Sequence, residues 1–279
     1  MNMQIISTTD DLRARLSNET AIAFVPTMGN LHEGHLDLVR MAREQGGCVV
    51  VSIFVNPLQF GPSEDFDQYP RTLAADCEKL QGLADVVFAP SVLEMYPVRQ
   101  TVFVEPPPIA DELDGASRPG HFRGMATVVL KLLNIVQPHT AVFGKKDYQQ
   151  LRIIQTMADQ LNLPIRIVGG ETVRAGDGLA LSSRNQYLNT DERAEAAFLH
   201  QCLQGMQQEI LQGGNDFERL QERAVKALIE RGWQVDYVAV RNQSDLLSAA
   251  LGQRKLVILA AAKLGNTRLI DNVEVSLAN

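Results

Sequence analysis

The chain has 279 residues, 45% of them hydrophobic, a net charge of −7 and three cysteines, Cys48, Cys77 and Cys202. That is room for one large or two ordinary globular domains, and the acidic balance argues against a broad nucleic-acid surface. No signal-peptide pattern, membrane-length apolar run, disulfide framework or metal-spaced cysteine set is visible, so a cytoplasmic setting is expected.

Residues 4–6 read as a short strand, and Thr8, Thr9 and Asp10 supply caps for a helix through Leu16. Residues 21–25 form an apolar run, a buried strand that Pro26 is expected to end because proline cannot donate to a central ladder. Next comes Met28-Gly29-Asn30-Leu31-His32-Glu33-Gly34-His35. Gly29 and Gly34 permit tight turns and close approach of a ligand. Leu36, Leu38, Val39 and Met41 suit a helix from about Gly34. Strand, glycine turn and helix N-terminus together make an anion-binding geometry, because backbone N–H groups and the helix dipole converge there. His32 and His35 at that point suit donation to a triphosphate and to the charge that develops as pyrophosphate leaves. Their spacing of three excludes a His-Glu-x-x-His zinc site, and no Gly-Lys-Ser/Thr follows to make a P-loop.

Residues 48–55, rich in Val and Ile, read as a parallel core strand ending at Asn56-Pro57-Leu58-Gln59-Phe60. Ligands of open α/β sheets sit beyond the carboxyl ends of strands, so Asn56 and Gln59 belong near the histidine loop. Amides there suit hydroxyls or carboxylates, or ordinary turn chemistry. Residues 61–69 read as an acidic, solvated loop, in which Glu64, Asp65 and Asp67 offer carboxylates to a metal. A helix over 71–80 carries Asp76, a candidate magnesium ligand, and a strand over 85–88 follows. Residues 101–104 read as a further strand stopped by three prolines. Residues 114–124 read as a flexible stretch whose Arg118, His121 and Arg123 suit an anion or plain solvent. A buried helix over 125–136 and a strand over 140–143 lead into Gly144-Lys145-Lys146-Asp147-Tyr148-Gln149-Gln150. That stretch opens a helix to about Leu161 and repeats the strand, glycine, helix logic with lysines suited to phosphate. A strand over 165–168 closes the first domain.

Alternating strands and helices predict an α/β fold, a Rossmann-like doubly wound parallel sheet over residues 1–175. Residues 177–185 are a junction of small and hydroxyl residues. Long amphipathic helices over 190–211 and 216–231, then strands over 233–240, 255–262 and 268–275, predict a smaller α+β C-terminal domain over 176–279.

The His32 to His35 stretch resembles the His-x-Gly-His signature of the nucleotidyltransferase superfamily. Along nearly its whole length the chain resembles the pantothenate synthetase (pantoate–β-alanine ligase) family. The resemblance rests on Pro26-Thr27-Met28-Gly29 with His32 and His35, on Phe54-Val55-Asn56-Pro57-Leu58-Gln59-Phe60, on Arg118-Pro119-Gly120-His121-Phe122-Arg123-Gly124, on residues 144–150 and on residues 177–185. It implies ATP-dependent condensation of (R)-pantoate with β-alanine, giving pantothenate, AMP and pyrophosphate through a pantoyl-adenylate. It also implies magnesium, a cytoplasmic setting and a homodimer, with no nucleic-acid or membrane partner.

The resemblance further implies that Met28, Gly29, Asn30, Leu31, His32, Glu33, Gly34 and His35 hold ATP, His35 being the catalytic histidine. Gln59 and Gln150 match glutamines that hold pantoate, Gln59 also lying near the β-alanine site, and Asn56 is grouped with them as a pantoate/β-alanine-binding residue. Gly144, Lys145, Lys146 and Asp147 match an ATP-binding segment whose usual form is Gly-Glu-Lys-Asp. Lys146 thus aligns with the phosphate-binding lysine, and Lys145 replaces an acid. Val173 matches an adenine-side contact. Leu181, Ser182, Ser183 and Arg184 match a second signature that covers the phosphates from a lid-like second domain. Two other readings share the histidine loop: a transferase that leaves its nucleotide on the product, and a non-catalytic nucleotide-binding module.

Overall fold

The structure is a computed structural model that describes residues 3–61 and 66–277, so Glu64 and Asp65 of the acidic segment lie outside the described residues. The chain forms two compact units, Met1–Lys145 with Ile153–Glu171, and Lys146–Arg152 with Thr172–Asn279.

The first unit is built on six parallel strands: β1 (Gln4–Ile6), β2 (Ile22–Thr27), β3 (Cys48–Ile53), β4 (Val86–Phe88), β5 (Thr140–Gly144) and β6 (Arg166–Gly170). Their order across the sheet is β1-β4-β3-β2-β5-β6. The helices between them are α1 (Thr9–Leu16), α2 (Glu33–Glu44), α3 (Leu73–Leu80), the single turns α4 (Val92–Met95) and α5 (Asp114–Ser117), α6 (His121–Val136) and α7 (Tyr148–Gln160). This is the expected doubly wound sheet. Valines 49, 50 and 51 on β3 are fully buried, as a strand covered on both faces requires. From β2 the chain steps outward through β3 and β4, then returns to lay β5 and β6 on the other side. The strand order therefore reverses between β2 and β5. Beyond the carboxyl ends of those two strands lies the crevice where such sheets bind ligands.

The second unit contains α8 (Thr190–Glu195), α9 (Phe198–Leu211), α10 (Phe217–Glu230) and three antiparallel strands, β7 (Gln234–Asn242), β8 (Lys255–Leu264) and β9 (Thr267–Ser276), in that order. Leu203, Ile210, Leu228, Trp233, Leu256 and Ile258 form its own core.

Several local expectations change. Pro26 does not end β2; it pairs with Ser52 inside the strand. Thr27 O accepts from Phe54 N on the β3 side, so the alternation of a parallel ladder turns Pro26 toward β5. The β5 pairing covers only Ala23 and Phe24, so no ladder bond is lost where the proline lacks its N–H. The turn after β2 falls at Gly29 and Asn30, with φ of 84° and 50°, while Gly34 sits inside the first turn of α2. Residues 101–104 join neither sheet: Val104 N donates to Thr127 Oγ1 of α6 at 3.1 Å, and the Arg123 guanidinium lies over the Phe103 ring at 4.0 Å. Helix α6 begins at His121 rather than 125, after Gly120 at φ 81°. The described end of the acidic loop is not merely solvated. Phe66 and Tyr69 pack edge-on against Phe60, at 5.4 and 5.9 Å between ring centroids, and Tyr69 is buried. The helix expected over 190–211 breaks after Glu195, whose carboxylate takes the Arg231 guanidinium and Trp233 Nε1.

Candidate active site

The histidine loop lies at the carboxyl end of β2, one side of the switch point. Two successive left-handed residues, Gly29 and Asn30, turn the chain sharply. A Cβ at Gly29 would stand 3.0 Å from Ile53 Cγ2 and 3.1 Å from Asp76 Oδ2, so the position requires glycine twice over. Asp76 is fully buried and accepts from Asn30 N at 2.9 Å, Leu31 N at 2.8 Å and Thr72 Oγ1 at 3.0 Å. Lys79 Nζ donates to Leu31 O at 2.7 Å. The structure thus corrects the reading of Asp76 as a metal ligand: its two oxygens are engaged in holding the loop. Among the described residues, no group of three or more His, Cys, Asp or Glu is arranged to hold a metal.

His32 caps α2, and His32 N donates to His35 Nδ1 at 3.3 Å. A ring nitrogen that accepts cannot carry a proton, so the neutral His35 ring holds its proton on Nε2 and presents that atom as a donor. The two imidazoles stand 4.1 Å apart between centroids. Glu33, in the first turn, pairs with Arg40.

At the end of β3, Asn56 and Gln59 divide their work. Asn56 is 1% exposed. Its Oδ1 accepts from Tyr96 Oη at 2.7 Å and Leu58 N at 3.3 Å; its Nδ2 donates to Gln59 Oε1 at 3.0 Å and Gly124 O at 3.3 Å. The expectation that Asn56 meets a substrate gives way to a framework role, since its amide is spent inside the protein. What it holds is Gln59, whose Nε2 then points to Met28 Sδ at 3.4 Å in the histidine loop. Burial pushes the Tyr96 hydroxyl well above the ordinary value of 10, so it remains a donor.

The stretch 114–124 serves the same glutamine. Arg118 Nη1 meets His121 Nε2 at 3.1 Å, and His121 Nδ1 meets Gln59 O at 2.7 Å. Because arginine only donates and a carbonyl only accepts, His121 carries its proton on Nδ1. Arg123 instead pairs with Glu105 at 3.1 Å. Helix α6 reaches this close because residue 124 is glycine: a Cβ there would stand 1.9 Å from Leu58 O. Gly124→Ala is therefore expected to destabilise the fold by roughly 1–3 kcal/mol, the usual cost of overpacking. Urea denaturation measures it; an unchanged midpoint would contradict this packing.

At the end of β5, Lys145 Nζ pairs with Glu171 Oε1 at 2.5 Å. The lysine that stands in place of an acid is thus matched by an acid nearby. In the second unit, Lys146 Nζ lies 3.9 Å from Asp147 Oδ2. Gln150, on the first turn of α7, is half-buried and belongs to that unit too. Leu181 N donates to Val173 O at 3.0 Å, and Arg174 bridges to Ala180, so residues 173–181 form a short hairpin. Ser182 then caps a 3₁₀ turn, Ser183–Tyr187, accepting from Arg184 N at 3.3 Å. The structure brings Gln59 to the histidine loop inside the first unit, and Val173 to Leu181 inside the second.

A doubly wound parallel sheet with a histidine pair at the end of β2, beside its switch point, places the chain in the α/β class. The Pantoate-beta-alanine ligase family model matches residues 4–274, and the chain belongs to that family. It is 58% identical over 278 residues to the pantothenate synthetase of Methylobacillus flagellatus, covering 99% of this chain and 100% of that one. The crystal structure of pantothenate synthetase from Thermus thermophilus is similar at a TM-score of 0.93 and 44% identity, covering 98% of this chain and 100% of that one. That of pantoate-beta-alanine ligase from Francisella tularensis, complexed with beta-gamma ATP and beta-alanine, is similar at 0.81 and 35%, covering 97% of each.

Proposed function

We propose that the chain condenses (R)-pantoate with β-alanine at the expense of ATP, through a pantoyl-adenylate, releasing pyrophosphate and then AMP. The observation that carries this reading is the pairing of a histidine-capped anion loop with a buried, doubly anchored glutamine, Gln59, within one unit. A transferase acting on nucleotide alone gives no reason for that glutamine. Family membership and the ligand-bound Francisella relative support the substrates.

In this reading the carboxylate of pantoate attacks the α-phosphorus, and no protein nucleophile is needed. The protein supplies position and charge stabilisation. The resemblance assigns Met28, Gly29, Asn30, Leu31, Glu33, Gly34, Gly144, Lys145, Asp147, Val173 and Leu181 to ATP. His32, His35, Lys146, Ser182, Ser183 and Arg184 stabilise the departing pyrophosphate. Gln59 and Gln150 hold pantoate. The β-alanine amine then attacks the mixed anhydride and AMP leaves. Mg2+ belongs to this reading as a companion of the phosphates rather than of a protein cage, because it is commonly held by substrate phosphate and water with few carboxylates; when bound it would neutralise phosphate charge. No helix among the described residues is long and apolar enough to cross a membrane. A cytoplasmic setting and a homodimer complete the reading and rest on the resemblance.

The test is isotope exchange. A carboxylate is a poor acyl donor because oxide would have to leave, whereas AMP leaves readily once the adenylate forms. Labelled pyrophosphate should enter ATP when pantoate is present and β-alanine absent, and β-alanine should suppress the exchange. Exchange that requires β-alanine would exclude a free-standing adenylate; exchange without pantoate would point to a nucleotidyl-enzyme.

A further inference from the structure

Within the second unit, side-chain hydrogen bonds tie residues 146–152 to the rest of that unit. Asn272 Nδ2 donates to Lys146 O at 3.0 Å, Tyr148 Oη donates to Glu274 Oε1 at 2.7 Å, and the Arg152 guanidinium donates to Ser244 O. The bond at Lys146 starts from a rigid base. Asn272 is buried on β9, its N–H donates to Asp271 Oδ1 at 2.7 Å, and its carbonyl accepts from Arg174 Nη2 at 3.1 Å. Arg174 grips Asp271 with two bonds of 2.7 and 2.9 Å, and His200 Nδ1 adds a third at 3.1 Å. Arg174 also donates to Gly178 O at 3.1 Å, inside the hairpin that leads to Leu181. A forked guanidinium on a carboxylate fixes direction as well as distance. The backbone of Lys146 and the hairpin before Ser182 are thus referred to the same pair of residues on β9. A buried ion cluster is a poor source of net stability beside an apolar core, so geometry is its better-supported use here.

We propose that Asn272 is a positioning residue for Lys146, with Arg174, Asp271 and His200 as the base that holds the asparagine. This rests on the reading that Lys146 meets the phosphates. The strand contributes no group to the reacting atoms; it sets where the lysine's backbone stands, and so the reach of its ammonium.

A double-mutant cycle tests it, with pyrophosphate–ATP exchange, steady-state kinetics and thermal melting measured for each protein. Asn272→Ala should lower exchange and kcat roughly five- to tenfold, the loss of one hydrogen bond's worth of placement, with the KM for pantoate unchanged. Asn272→Ser, whose shorter hydroxyl falls short of Lys146 O, should do the same and serves if the alanine variant does not fold. In a Lys146→Ala background, the Asn272 change should add less than about twofold, because the group it positions is gone. Losses that multiply in the double variant, or full activity in Asn272→Ala and Asn272→Ser while Lys146→Ala is crippled, would overturn the inference and leave the lysine's role intact. Full activity in Lys146→Ala would instead overturn the reading beneath it.

Discussion

Replacing His35 with alanine is expected to lower kcat roughly 100- to 1000-fold, the usual cost of removing one preorganised donor from developing negative charge. The capped N-terminus of α2 is the reason: His32 N donates to His35 Nδ1, which leaves the proton on Nε2 and fixes the ring's direction. The same substitution removes a helix cap, which typically costs about 1 kcal/mol. A second variant separates the two effects. His35→Glu keeps an acceptor at the third helical position, as in an ordinary capping box, but presents an anion where pyrophosphate charge develops. Its melting temperature should match the parent, and its turnover should fall at least as far as in His35→Ala. Near-normal turnover in either variant would remove His35 from the chemistry.

The largest effect on stability is expected from Asp271→Ala. The carboxylate is 4% exposed and takes Arg174 and His200 together. Deleting it leaves the Arg174 guanidinium with backbone acceptors but no counter-charge and takes the carboxylate from His200; breaking a buried pair typically costs about 3–5 kcal/mol. Urea denaturation at neutral pH measures this, and a loss below about 1 kcal/mol would show that the cluster does not carry the unit. Burial pushes the Asp271 carboxyl up, but the bonds from His200 and Arg174 outweigh it and leave it below its ordinary value of 3.8. A carboxyl depressed in the folded state contributes stability that is complete above its unfolded value and lost as pH falls through the folded one. The stability gap between the parent and Asp271→Asn should therefore be constant at neutral pH and close only below about pH 4. A gap that closed between pH 5 and 7 would assign it to another group.

The elements most legible in the sequence are those whose signal is local. The Val-rich run of β3, the Thr8 cap of α1 and the three C-terminal strands follow from composition and spacing within a few residues. The histidine loop is legible too, because a strand, a left-handed glycine and a helix start are all short-range features. Pro26 departs from expectation because the rule against proline in a ladder depends on whether a neighbouring strand still pairs at that height, which a single strand does not encode.

The sequence by itself determined the order of the main elements and the parallel sheet. The tertiary structure decided which polar groups the protein keeps for itself. Asp76 is open to a metal in the sequence, but Asn30 and Leu31, 46 and 45 residues away, occupy its oxygens. Asn56 is open to a substrate, but Tyr96, 40 residues on, and Gly124, 68 residues on, fill its amide. Arg118 and His121 suit an anion, but His121 sits on the Gln59 carbonyl, 62 residues back. Asp271 and Asn272 carry no signal at all, since their partners Arg174 and Lys146 lie 97 and 126 residues away. Propensity and periodicity act over a turn or a strand, whereas a buried donor or acceptor is satisfied by whatever the fold brings opposite it.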